Sequence, residues 1–128
     1  MAAKIGPIVS SDHLVNEDAA ELSEFEFGLT LANNAFQRWI VRCAAAAGYP
    51  DLGAVDVLVL RTVNHRARAK KLADICLVLN IEDTHVVNYA LKKLTKLGLV
   101  TSKKAGKENM FSTTKKGREA CQKYREIR

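Results

Sequence analysis

No apolar stretch in this 128-residue chain approaches the roughly eighteen residues that a membrane span needs. Residues 1–12 lack the basic start and long apolar segment of a secretory signal. Together these absences give the expectation of a cytoplasmic chain with no membrane partner. Cysteine is scarce and odd in number. Cys43, Cys76 and Cys121 are widely spaced and include no CxxC pair, which argues against a disulfide framework or a zinc site. Cys43 and Cys76 fall on apolar helix faces, where a thiol packs as a small hydrophobe; Cys121 stays open as a redox candidate. Glycine-rich phosphate loops are missing, and His13, His65 and His85 fall in three separate segments. No serine, cysteine or lysine stands near a base at a recognisable spacing. The chain is therefore expected not to be an enzyme, and to hold no cofactor and no metal.

Charge is plentiful but unevenly placed. Residues 1–60 carry three basic and eight acidic side chains, −5, whereas residues 61–128 carry seventeen basic and six acidic, +11. The overall +6 thus hides a cationic half joined to an acidic one. A concentrated positive field suits a polyanion, because Lys and Arg contacts release the counterions condensed on nucleic acid. A solvated lysine surface is the competing reading.

The stretch 70–114 gives that field a shape. Leu72, Ile75, Cys76 and Leu79 follow an i, i+3, i+4, i+7 pattern, one buried face of a short helix. Asn80-Ile81 breaks it, and Glu82 or Asp83 caps a second helix that buries Val87, Ala90, Leu91, Leu94 and Leu97. The opposite face of this second helix carries Thr84, His85, Asn88, Tyr89, Lys92, Lys93 and Lys96. A short helix, a tight turn and a longer helix with a polar, cationic face describe a helix-turn-helix. Thr84, His85, Asn88 and Tyr89, in the first turns, are placed to reach base edges. Lys92, Lys93 and Lys96 are placed to hold phosphates. Extended runs over 99–103 and 109–113, turned at Gly106, make a small β wing bearing Lys103, Lys104 and Lys107.

Upstream, residues 1–22 read as a polar arm. A long amphipathic helix is expected over about 23–47, with Phe25, Leu29, Phe36, Trp39, Ile40 and Cys43 at three- and four-residue steps, closed by Gly48 and Pro50. Its apolar stripe is longer than a small core can cover, which points to burial against a second copy; packing wholly on its own domain is the competing reading. A scaffold helix follows over about 54–64, then a basic run without a helix-capping residue. Arg66, Arg68 and Lys70 in that run lie where the chain crosses a phosphate backbone, with a solvated loop as the alternative. Thr113 or Thr114 caps a last helix with Ala120, Cys121 and Tyr124 on one face.

Three pieces in order, Lys71-Leu72-Ala73, then Leu91-x-x-Leu94-x-x-Leu97-Gly98-Leu99-Val100, then Thr113-Thr114-x-x-Gly117, resemble the MarR-type winged helix-turn-helix regulators. The resemblance covers about 52–124. It implies a double-stranded DNA partner, transcription regulation, and a homodimer through the N-terminal helix. Family wings carry an aspartate, one residue, then an arginine; those positions fall here on Ala105 and Lys107, so phosphate contact is expected rather than entry of the tip into the minor groove. The family also implies a second C-terminal helix completing a ligand cleft, whereas about fourteen residues follow Thr114. A small-molecule effector therefore stays open as a partner but is not indicated.

The expectation is a mainly α chain with a small β wing: an arm (1–22) and a winged helix-turn-helix domain (23–128) that includes a dimerisation helix (23–47). The recognition helix, about 83–97, enters the major groove, and the wing, 99–113, rests on the backbone. The dimer interface is expected at Phe25, Leu29, Phe36, Trp39, Ile40 and Tyr124. The alternative is a winged-helix protein-interaction module without specific DNA binding.

Overall fold

Alanine, leucine and glutamate at the start of the long helix extend it further than capping residues suggest. In the computed structural model, which describes residues 19–128, α1 spans Ala20–Ala46, opening three residues before the expected start. Glu21 in the first turn faces the positive end of the helix dipole. The proposed arm lies, as far as residue 18, outside the described residues. The described residues fall into two units, one ending at Arg38 and the other spanning Trp39–Arg128. In the first, α1 presents Leu22, Phe25 and Leu29 to solvent, the last two 65% and 57% exposed.

The second unit contains the last turns of α1, a single helical turn at His65–Ala67 and every other element. These are α2 (Ala54–Asn64), β1 (Lys70–Lys71), α3 (Leu72–Leu79), α4 (Thr84–Lys96), β2 (Val100–Ala105), β3 (Glu108–Thr113) and α5 (Lys115–Ile127). Its core takes Ile40 and Cys43 from α1, Val59 and Val63 from α2, and Ile75 from α3. Val87, Leu91 and Leu94 of α4, Leu99, Val100 and Phe111 of the sheet region, and Tyr124 of α5 complete it. Each such aliphatic side chain stabilises the unit by about 1.5–3 kcal/mol on burial. Two expected interface residues are corrected here. Ile40 is fully buried and Tyr124 is 4% exposed; both belong to this core and neither offers a surface to another subunit. Tyr124 instead lies under the Arg61 guanidinium, 5.1 Å from its ring centre.

The helix boundaries have local causes. Asp83 is the cap of α4, its carboxylate accepting from the His85 N–H at 2.9 Å. Asn80 closes α3 in the left-handed conformation, φ 55°, which asparagine tolerates better than most residues. Gly98 takes φ +78° where α4 turns into the wing. Thr114 caps α5 by accepting from the Gly117 N–H and donates to the Gly98 carbonyl. The wing is tighter than expected: β2 pairs with β3 from Val100↔Thr113 to Ala105↔Glu108. A third, two-residue strand was not anticipated. β1 pairs antiparallel with β3, Lys70↔Phe111 and Lys71↔Met110, giving the order β1-β3-β2.

Candidate nucleic-acid interface

Burial of Val87, Ala90, Leu91 and Leu94 fixes the rotation of α4. Thr84, His85, Tyr89, Lys92 and Lys96 are consequently exposed, and Asn88 is half-buried. Tyr89 is 74% exposed, an aromatic ring with a hydroxyl donor, and Val86, three residues before it, is 40% exposed. Of the expected α4 contacts, Lys93 is corrected. Its ammonium sits 2.9 Å from the Asp56 carboxylate, and Asp56 also accepts from the Gly53 N–H at 2.8 Å to cap α2. Lys93 thus ties the C-terminal part of α4 to the start of α2, with its side chain 35% exposed. Asp56, 7% exposed, was not anticipated. The partners are 37 residues apart in sequence, beyond the reach of any helical pattern.

Lys70 is the second correction. Its ammonium donates to the carbonyls of Val63 at 2.9 Å, His65 at 2.5 Å and Arg68 at 2.7 Å. Those bonds close a loop in which Arg66 and Ala67 hold left-handed backbone, φ 57° and 50°, at a cost on the order of 1–2 kcal/mol each. Burial, and then the nearby Arg68 charge, pull the Lys70 pKa below the ordinary lysine value. Lys70 is a loop clasp and has no donor left for phosphate. Arg66 and Arg68 remain exposed.

In the wing, Lys103, Lys104 and Lys107 are all exposed. Side chains alternate along a strand, so Lys103, opposite Met110, and Lys104, opposite Asn109, leave the ribbon on different faces. One additional cation enters the site. Lys71 Nζ lies 2.9 Å from Glu108 Oε2, and the hydrogen bond and charge of Glu108 raise its pKa. Lys71 belongs to the opening motif of α3, but its ion pair depends on β1, which is too short to show in a two-residue period.

The remaining candidates separate by burial. Phe25 and Leu29 are well exposed, and Phe36 and Trp39 are 42% and 43% exposed. Cys43, Cys76 and Cys121 are all buried free thiols. Burial pushes the Cys121 pKa up to about 11, so it is a thiol at neutral pH and a poor nucleophile. A cavity of ≈ 10 Å³ lies among α1, α2 and α5, lined by Ala44, Leu52, Leu60, Cys121 and Tyr124; that is room for about one water molecule. Among the described residues, no cluster of histidine, cysteine and carboxylate side chains could hold a metal ion, and no helix is long and apolar enough to cross a membrane.

A sequence-family model described as a winged helix DNA-binding domain matches residues 52–117. No curated protein matches the chain. Among solved structures, the chain is similar to a MarR family transcriptional regulator from Rhodococcus sp. RHA1, with TM-score 0.72 and 14% identity over 85% of this chain and 76% of that one. It is similar to a MarR transcriptional regulator from Methanosarcina mazei Go1, with TM-score 0.69 and 16% identity over 80% and 67%. A MarR family regulator from Neisseria meningitidis gives TM-score 0.66 and 20% identity over 83% and 70%.

Proposed function

The chain belongs to the winged helix DNA-binding domain family, with the fold seen in MarR regulators, and from that premise we propose that it is a cytoplasmic, sequence-specific regulator of transcription binding double-stranded DNA as a homodimer. The observation that carries the reading is the outward face of α4. Thr84, His85, Tyr89, Lys92 and Lys96 are exposed away from its buried seam and Asn88 is half-buried beside it, with the Lys103, Lys104 and Lys107 wing following directly in the chain.

In the proposed complex α4 lies in the major groove. Asn88 has the donor–acceptor pair that reads adenine and Thr84 a methyl for thymine. Lys92, Lys96, Arg66, Arg68 and the wing lysines contact phosphates, fixing register without reading sequence. The exposed stripe of Leu22, Phe25 and Leu29 on α1 supports pairing of two copies, with Phe36 and Trp39 continuing at helical spacing. Two-fold-related recognition helices would then meet half-sites about 34–36 Å apart. The proposal contains no catalytic step.

The test is fluorescence anisotropy with the gene's own upstream duplex and a scrambled control at 50 and 200 mM salt. A preference for the upstream duplex, with affinity falling roughly 10³- to 10⁵-fold between those salts for six to ten phosphate contacts, supports the reading. Absence of duplex binding at low salt removes it and turns attention to protein partners.

A further inference from the structure

A groove of ≈ 300 Å³ opens where α3, α4 and the wing meet. Leu72 and Phe111 line its apolar part, and Lys71, Asn88, Glu108 and Asn109 supply its polar groups. It therefore joins the proposed base-reading helix to the proposed backbone-contacting wing. The strand register explains why a cation and a carboxylate meet there. Lys71 stands opposite Met110 across β1 and β3, and Glu108, two residues before Met110, projects from the same face. Such diagonal neighbours are within reach of long side chains. Lys71 Nζ and Glu108 Oε2 are 2.9 Å apart with the side chains 49% and 58% exposed, so water and other anions have access to both. Lys71 is also the residue preceding the first turn of α3 and supplies no side-chain cap. The leading N–H groups of α3 consequently lie beside this cation, and both favour an anion.

We propose that Lys71 is a phosphate-binding residue whose partner in the free protein is Glu108, and that a DNA phosphate entering the groove takes the place of that carboxylate. The inference rests on the DNA-binding reading above and deepens it. It adds a contact on the α3–wing side of α4 and makes Glu108 the residue that restrains duplex affinity. No bond is made or broken beyond the exchange of one salt-bridge partner for another, since Lys71 keeps its charge throughout. Glu108 begins β3 immediately after the turn, and its exposed carboxylate can turn toward solvent once released.

A double-mutant cycle tests this, using a random-sequence duplex and anisotropy across a salt series. Glu108→Gln should bind the duplex roughly two- to five-fold more tightly, the effect of relieving one exposed ion pair. That gain should vanish when Lys71→Gln is also present. Lys71→Gln alone should reduce the slope of log K against log salt by about 0.9. Equal gain from Glu108→Gln with and without Lys71 would mean bulk repulsion by the carboxylate and would overturn the exchange. An unchanged slope in Lys71→Gln would overturn it as well, while wild-type binding left the DNA reading standing. Failure of wild type and all three variants to bind duplex would remove the DNA reading and this inference together. Both substitutions are at exposed positions, and thermal melts close to wild type verify that the fold is intact.

Discussion

Replacing Gly117 with alanine adds one methyl group where α5 crosses the entry to the wing. An ideal Cβ at this position lies 2.0 Å from the Leu99 carbonyl oxygen, 3.0 Å from its carbon and 3.3 Å from Thr113 Cβ. The first distance is more than 1 Å inside any tolerable carbon–oxygen contact, and the obstructing atom is backbone, so no rotamer change relieves it. That carbonyl is itself held, accepting from the Thr114 N–H at 3.0 Å. The Thr114 hydroxyl in turn bonds both Gly117 N–H and the Gly98 carbonyl. Moving α5 away therefore disturbs its cap as well as its packing. Overpacking costs about 1–3 kcal/mol and loss of the cap about 1 kcal/mol, against a gain of about 1 kcal/mol in helix propensity from glycine to alanine. The net expectation is a loss of roughly 2 kcal/mol, or a melting temperature lower by roughly 8–16 °C for a unit of this size. Urea unfolding followed by circular dichroism measures it. Gly106→Ala, with open space around it, is the comparison, expected to lose only about 1 kcal/mol for its positive φ. A Gly117→Ala protein as stable as wild type, or more stable, would refute the clash argument.

Four further outcomes follow from the same geometry. Lys70→Met, which removes the donor to three carbonyls, should lower stability by about 1–3 kcal/mol and leave the salt slope of duplex binding unchanged; a reduced slope would return Lys70 to the phosphate contacts. Asp56→Ala should cost about 1–3 kcal/mol through the lost α2 cap and the unpaired Lys93, and Lys93→Gln should alter melting more than salt slope, whereas Lys92→Gln should do the reverse. Cys121 should resist iodoacetamide at pH 8 in the folded protein and react on addition of urea. Because its pKa is raised from 9.0 to about 11 on folding, the unfolded chain loses that proton first, so stability should fall as pH climbs from about 9 to 11; thermal melts across that range, compared with Cys121→Ala, isolate its share. Leu29→Glu, on the exposed stripe of α1, should shift sedimentation toward the monomer with the winged unit still folded, and an unchanged oligomer would move the interface elsewhere.

Sequence periodicity locates α2, α3 and α4 because each has a buried face with a regular repeat, whereas β2 buries only Val100 and the wing is read from its extended runs and the turn at Gly106. Periodicity also locates α1, but a stripe says which side of a helix is apolar and not what covers it. Ile40 continues the stripe that includes Leu29, yet Ile40 is enclosed by its own unit while Leu29 is exposed. Lys70, Lys93 and Tyr124 illustrate a related point, because a surface run or a helix face shows a residue's position and not its partner. Their partners are carbonyls in a preceding loop, a carboxylate 37 residues away, and the guanidinium of Arg61. Gly117 was readable only as the last letter of a motif; its physical reason, the Leu99 carbonyl against its Cα, exists only in three dimensions.

The two residues of β1 change what kind of object the wing is. A hairpin attached only at its ends can swing, adjusting its tip to whatever groove it meets. Here β3 is bonded on both edges, and Lys71 is at once the last residue of β1 and the residue that opens α3. Displacing the wing base therefore pulls on the first turn of the helix-turn-helix. In the proposed complex such a reader would act as a calliper with a set opening: a duplex would have to present its grooves at a compatible separation or bend until it did. Sequence steps that bend or narrow easily would then be favoured even at base pairs no side chain touches.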